Sequence, residues 1–140
     1  MVMKTQKKLS ITNFDYIRLK NMISEYSKRN KTNVNLEDLL GEIERAQKVD
    51  STKIPANVVT MNSIIEIRNL NELDFDEFQL VFPEESNSSE RKISILAPIA
   101  TACLGYKVGD IIQWNVPHGV QQFQITDVKY QPEANGHFHL

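Results

Sequence analysis

Apolar residues recur at steps of three and four at Tyr16, Leu19, Ile23 and Tyr26, and again at Leu36, Leu39, Ile43 and Ala46. Each set draws one stripe along a helix, so the spacing predicts helices over about 14–29 and 36–46. Thr12 with Asp15 three residues on resembles a capping box ahead of the first, and Lys28 and Arg29 suit its carboxyl end. The polar run NKTNVN at 30–35, with Asn35 as an N-cap, predicts the turn of a short antiparallel helical hairpin. The period breaks at VDSTKIPA, residues 49–56, where Pro55 denies a helix. Strand-like segments then follow at 58–70 and 75–82, with Phe75, Leu80 and Phe82 expected in a core beside Ile65 and Ile67. Residues 93–114 read as strand, helix and strand. Ile93 and Ile95 alternate with polar neighbours, Pro98 opens a small-residue helix, Gly105 supplies a left-handed end and Gly109-Asp110 a tight turn. A last strand is expected over 120–130.

The fold class is therefore α+β, with a loose tail over 1–10, the helical hairpin over 11–50 and a β-rich domain with one short helix over 51–140. A chain of 140 residues with 41% hydrophobic and 24% charged residues can bury its own core. The net charge of -2 argues against sequence-specific binding to nucleic acid. One cysteine, Cys103, excludes a disulfide framework and suits a small buried apolar position. Apolar runs are too short to span a bilayer, and the opening MVMKTQKK lacks the apolar core of a leader, so a cytoplasmic protein is expected.

Catalytic groupings are sparse. His118, His137 and His139 stand in turn or tail contexts without an acid fixed beside them, and Gly105 and Gly109 follow a helix where a phosphate-binding loop would precede one. No metal or cofactor is expected. Glu37 and Asp38 open the second helix as adjacent residues about 100° apart, so they do not converge on an ion as an i, i+4 pair would. Asp38 and Glu42 share a face, although acids there also complement the positive helix end.

The segment ISILAPIATACLGYKVGDIIQWNVPHGV at 93–120, VVTMNS at 58–63, RAQ at 45–47 and the ending YQPEANGHFHL at 130–140 together resemble the Gre-type bacterial transcription elongation factors. Within them the chain is similar to the Rnk subfamily, the regulators of nucleoside diphosphate kinase. The resemblance implies an FKBP-like antiparallel sheet domain that docks at the rim of the RNA polymerase secondary channel while the hairpin points inward. Ala97, Pro98 and Ile99 fall where such factors read Ser-Pro-Leu. Gly105, Gly109 and Asp110 fall on their Leu-Gly and Gly-Asp positions, and Ala100 replaces a glycine. Ala97, Pro98, Ile99 and Gly105 are the expected docking residues, and Asn33, Glu37 and Asp38 the hairpin tip.

Cleavage-stimulating members use longer arms carrying a spaced acidic pair, whereas these arms would reach only about 20 Å. The expectation is a monomeric, non-enzymatic regulator that binds bacterial RNA polymerase without stimulating transcript cleavage. The alternatives are a cleavage-assisting factor using Glu37, Asp38 or Glu42, and an FKBP-like module for another partner. Prolyl isomerase activity does not follow from the fold.

Overall fold

Thr12 starts the first helix as its spacing to Asp15 suggests, its side chain accepting the Asp15 N–H at 3.0 Å. The computed structural model describes residues 2–3, 9–29, 34–116 and 119–140. In chain order the elements are β1 (Val2–Met3), β2 (Ser10–Thr12), α1 (Asn13–Lys28), α2 (Val34–Arg45), β3 (Gln47–Val49), β4 (Ile64–Asn69), β5 (Asp74–Val81), β6 (Lys92–Ser94), α3 (Pro98–Cys103), β7 (Ile111–Val116) and β8 (Gly119–Tyr130). Both helical stripes fold as the spacing requires: Leu19, Ile23, Leu36, Leu39 and Ile43 are buried. Tyr16 in the first turns of α1 donates to Glu44 near the end of α2, so the second helix returns to where the first began. The strand β2 before α1 and the strand β3 after α2 then pair in parallel, Ser10 opposite Gln47.

The sheet runs β1-β7-β8-β4-β5-β6. It is mixed, which corrects the expectation of an antiparallel one. Every pair is antiparallel except β5 with β6, because residues 82–91 form two 3₁₀ turns that carry the chain back to the same end instead of reversing it tightly. Residues 58–63 are also not strand. Val58 makes only an isolated antiparallel bridge to Lys107, residues 60–63 form a tight turn with Asn62 at φ 67°, and β4 begins only at Ile64. The first ten residues, expected as a loose tail, contribute to both sheets at their described positions: β1 pairs with β7, and Leu9 is buried. Val34 begins α2, which places Asn35 inside the helix where an N-cap was expected.

One core joins the helices to the sheet, running from Leu19, Leu39 and Ile43 through Met61 and Tyr106 to Ile65, Leu80, Ile95 and Ile112. Cys103 is buried in it and forms no disulfide among the described residues. Gly41 does not mark a close helix approach: it is exposed, and a Cβ built there meets nothing within 4 Å.

Polar ties fix the helices across this joint. Asp15, fully buried, accepts the Met61 N–H at 3.1 Å and the Arg18 guanidinium at 2.5 Å. Arg18 in turn lies over the Phe14 and Phe82 rings, at 4.0 and 4.9 Å from their centroids, and donates to the backbone oxygen of Leu140 at 2.9 Å. Asn62 donates to the same oxygen at 2.9 Å. Burial raises the Asp15 carboxyl above its usual range, against the lowering by Arg18. Glu133, held by the Thr60 hydroxyl at 2.8 Å, is raised for the same reason. At the far end of α2, Arg45 binds Glu42 at 2.7 and 2.8 Å and also the Tyr106 hydroxyl. Burial pushes that hydroxyl up to about 12.

Candidate docking surface

Alternation along β4 and β5 decides which side chains look toward α3. Ile65 stands opposite Phe78, Ile67 opposite Asp76 and Asn69 opposite Asp74, so these six share one face of the sheet. The third strand adds Phe123 opposite Asn69 and Ile125 opposite Ile67. Ile65 and Ile125 are sealed beneath the core, while the outer part of the face stays open. The result is a groove of about 400 Å³ between the sheet and α3, with an apolar floor of Ile67, Phe78, Ile93, Ile99 and Phe123. Asn69, Asp74, Asp76 and Arg91 form its polar edge, and Phe75 lies at its mouth.

Local hydrogen bonds hold the wall carrying Ile99. Ser94 accepts the Leu96 N–H through its hydroxyl at 3.0 Å, and its carbonyl accepts the Ala97 N–H at 2.9 Å. Ala97 is the N-cap of α3, without a side-chain cap, and Pro98 occupies the first turn, where its missing N–H costs nothing. Thr101 closes the unit, its hydroxyl donating to Ile95 O at 2.6 Å and its N–H to Ala97 O at 3.0 Å. Pro98 is exposed, with Ala97 and Ile99 half-buried beside it, so these three expected residues sit together on a rigid surface at the groove.

Gly105 does not belong to that surface. It is buried beneath β2, its carbonyl accepts the Ser10 N–H at 3.2 Å, and a Cβ there would stand 3.2 Å from Leu9 Cβ and 3.3 Å from Ser10 O. Its φ of 85° is the left-handed ending expected for the helix. Gly105 is a joint residue because a side chain would push β2 off the end of α3.

Phe75 departs from expectation in the opposite direction. It was expected in the core, yet 60% of it is exposed. The N–H and C=O groups of Leu80 bond residues 62 and 63 beside β4, so even-numbered residues of β5 bond toward β4 and odd-numbered ones toward the outer edge. Phe75 is therefore out of phase with buried Phe78 and Leu80 by an odd number of residues. Arg68, directly opposite it in register, stands 5.5 Å from the ring centroid. Leu73, at φ 60° in the preceding turn, is 62% exposed.

At the other candidate region, Glu37 in the first turn of α2 and Asp38 directly after it are both exposed, adjacent and pointing apart. Asn33 lies outside the described residues. Glu42 is occupied by Arg45. Among the described residues no group of three or more His, Cys, Asp or Glu is placed to hold a metal ion. His137 bonds Tyr130 at 2.7 Å through Nδ1, with the His139 ring centroid 6.2 Å away. No helix among the described residues is long and apolar enough to cross a membrane.

Comparison with known proteins divides the chain at the same place as the change of period. The family model described as transcription elongation factor GreA/GreB, C-terminal, matches residues 54–130, and the one described as Rnk N-terminus matches residues 7–49. The chain is 39% identical over 103 residues to the regulator of nucleoside diphosphate kinase of Escherichia coli (strain K12), over 73% of this chain and 76% of that one. It is 35% identical over 99 residues to transcription elongation factor GreA of Clostridium novyi (strain NT), over 69% of this chain but only 58% of the relative. A solved prokaryotic transcription elongation factor GreA/GreB from Nitrosomonas europaea aligns with a TM-score of 0.73 and 37% identity, covering 88% of this chain and all of that one.

Proposed function

The chain belongs to the GreA/GreB transcription elongation factor family, in its Rnk branch, and from that premise we propose that it regulates transcription by binding RNA polymerase at the secondary channel, without stimulating transcript cleavage. The β unit docks through the surface at Ala97, Pro98 and Ile99 and the groove behind it. The helix pair acts as the short hairpin that points inward. Polymerase binding comes from what the family resemblance implies. The groove supports it, since an exposed Phe75 beside a cavity of this size marks an interaction face more than a solvated sheet.

The length of the arms carries the second half of the proposal. With 16 residues in α1 and 12 in α2, the helices extend about 24 and 18 Å at ~1.5 Å per residue. That is short beside the arms of cleavage-stimulating members. The tip acids offer no substitute for reach: Glu37 and Asp38 diverge, and Glu42 is bound to Arg45.

The test is a stalled, backtracked elongation complex supplied with Mg²⁺ and the purified chain. The expected result is a bound complex with no release of 3′ RNA fragments. Prompt release that is lost on Glu37→Ala with Asp38→Ala would replace this reading with a cleavage-assisting one.

A further inference from the structure

The groove is not uniformly apolar. Asn69, Asp74 and Phe123 lie side by side on three adjacent strands, so its apolar floor ends at a carboxylate. The two acids there differ in state. Arg91 Nη2 lies 2.5 and 2.6 Å from the two Asp76 oxygens and neutralises that group. Asp74 is exposed and has no ion pair or side-chain hydrogen bond among the described residues. A formal charge of -1 therefore remains on the groove lining, from Asp74 and Asp76 against Arg91.

We propose that this groove receives a lysine or arginine side chain of the partner protein, its aliphatic stem along Ile67, Phe78 and Ile99 and its cation at Asp74. This rests on the docking reading above and names the partner's chemistry. Long basic side chains suit such a site because their stems cover apolar surface while the charged head stays at the wet end. An uncharged apolar residue would fill the floor and leave Asp74 unused, and an acidic one would meet like charge. The occupant is a protein segment because exposed apolar surface borders the groove at Phe75, which is 60% exposed. Docking through such a charged contact is weakened by salt, and loss of the charge acts on the rate of encounter as well as on affinity.

Two measurements separate this inference from the reading it rests on. In the first, the dipeptides acetyl-Leu-Arg-amide and acetyl-Leu-Gln-amide are titrated at millimolar concentration into the full isotope-labelled chain. The arginine peptide is expected to shift Asp74, Ile67 and Ile99 resonances and to bind several-fold more tightly, an advantage that Asp74→Asn abolishes. Equal affinities, shifts elsewhere, or no shifts overturn the inference, whatever the biological partner. In the second, core RNA polymerase is titrated with the wild type, Asp74→Lys and Glu84→Lys, the last reversing an exposed acid outside the groove. Asp74→Lys is expected to weaken binding about tenfold with Glu84→Lys unchanged. Equal affinities for the two variants overturn the inference while leaving polymerase binding intact. Absence of wild-type binding removes the polymerase reading and leaves the peptide result to decide the groove.

Discussion

The joint and the groove treat polar and apolar groups in opposite ways. At the joint, Asp15 is buried and partnered, Arg18 is stacked and bonded, and Gly105 leaves room for a crossing strand. At the groove, Phe75 faces solvent and Asp74 is exposed without an ion pair among the described residues. Buried charge without partners is destabilising by several kcal/mol, so the joint must be complete in the free protein. Exposed apolar surface costs far less, so a groove can remain open until something covers it. The joint holds the helices in place, and the groove is the proposed recognition surface. Substitutions at the two regions should accordingly separate stability from binding.

Asp15→Ala carries the largest expected effect. It strips the Met61 N–H and Arg18 of a shared acceptor, and chemical denaturation should show a loss of about 3 kcal/mol. A loss near zero would break the distinction between the regions. Gly105→Ala comes next. At φ 85° with a 3.2 Å approach to Leu9, it should cost about 2 kcal/mol by the same measurement.

The joint also predicts an unusual pH response. Burial raises Asp15 from 3.8 and Glu133 from 4.5, so the folded state holds these protons more tightly than the unfolded chain. Their contribution to stability is full below those ordinary values and is lost as pH rises through the raised ones. Glu133→Gln should flatten that part of the profile of denaturation midpoint against pH. An unaltered profile would remove Glu133 from the account.

Smaller effects fall away from the joint. Gly41→Ala should stabilise the protein by about 0.5–1 kcal/mol, because the site is open and helical. Phe75→Ala should change stability by no more than about 0.5 kcal/mol while weakening partner binding. A large stability loss there would mean that Phe75 belongs to the core after all.

The sequence shows these regions unequally. Three-four spacing marks both helices because the period that buries Leu19, Leu39 and Ile43 is local. The strand, helix and strand over 93–114 is legible for the same reason, through Pro98 and Gly105. Asp15 reads as a helix-capping acid, and its acceptor role for Met61 is invisible because that partner lies 46 residues away and is a backbone group. Gly105 shows its left-handed backbone but not the strand crossing it. The groove left one usable signal, since Phe75 is out of phase with Phe78 and Leu80, and aromatic character outweighs that parity when residues are read only for hydrophobicity. The turn at 60–62 hides behind β-branched and apolar residues that suit a strand, until tertiary bonds from Leu80 to residues 62 and 63 decide otherwise.

The most direct measurement is the affinity of the labelled chain for core RNA polymerase, compared among the wild type, Ile99→Asp, and Glu37→Ala with Asp38→Ala. The account predicts saturable binding by the wild type, a loss of at least about tenfold for Ile99→Asp at unchanged folding, and wild-type affinity for the tip variant. Absence of wild-type binding, or a loss confined to the tip variant, would contradict it.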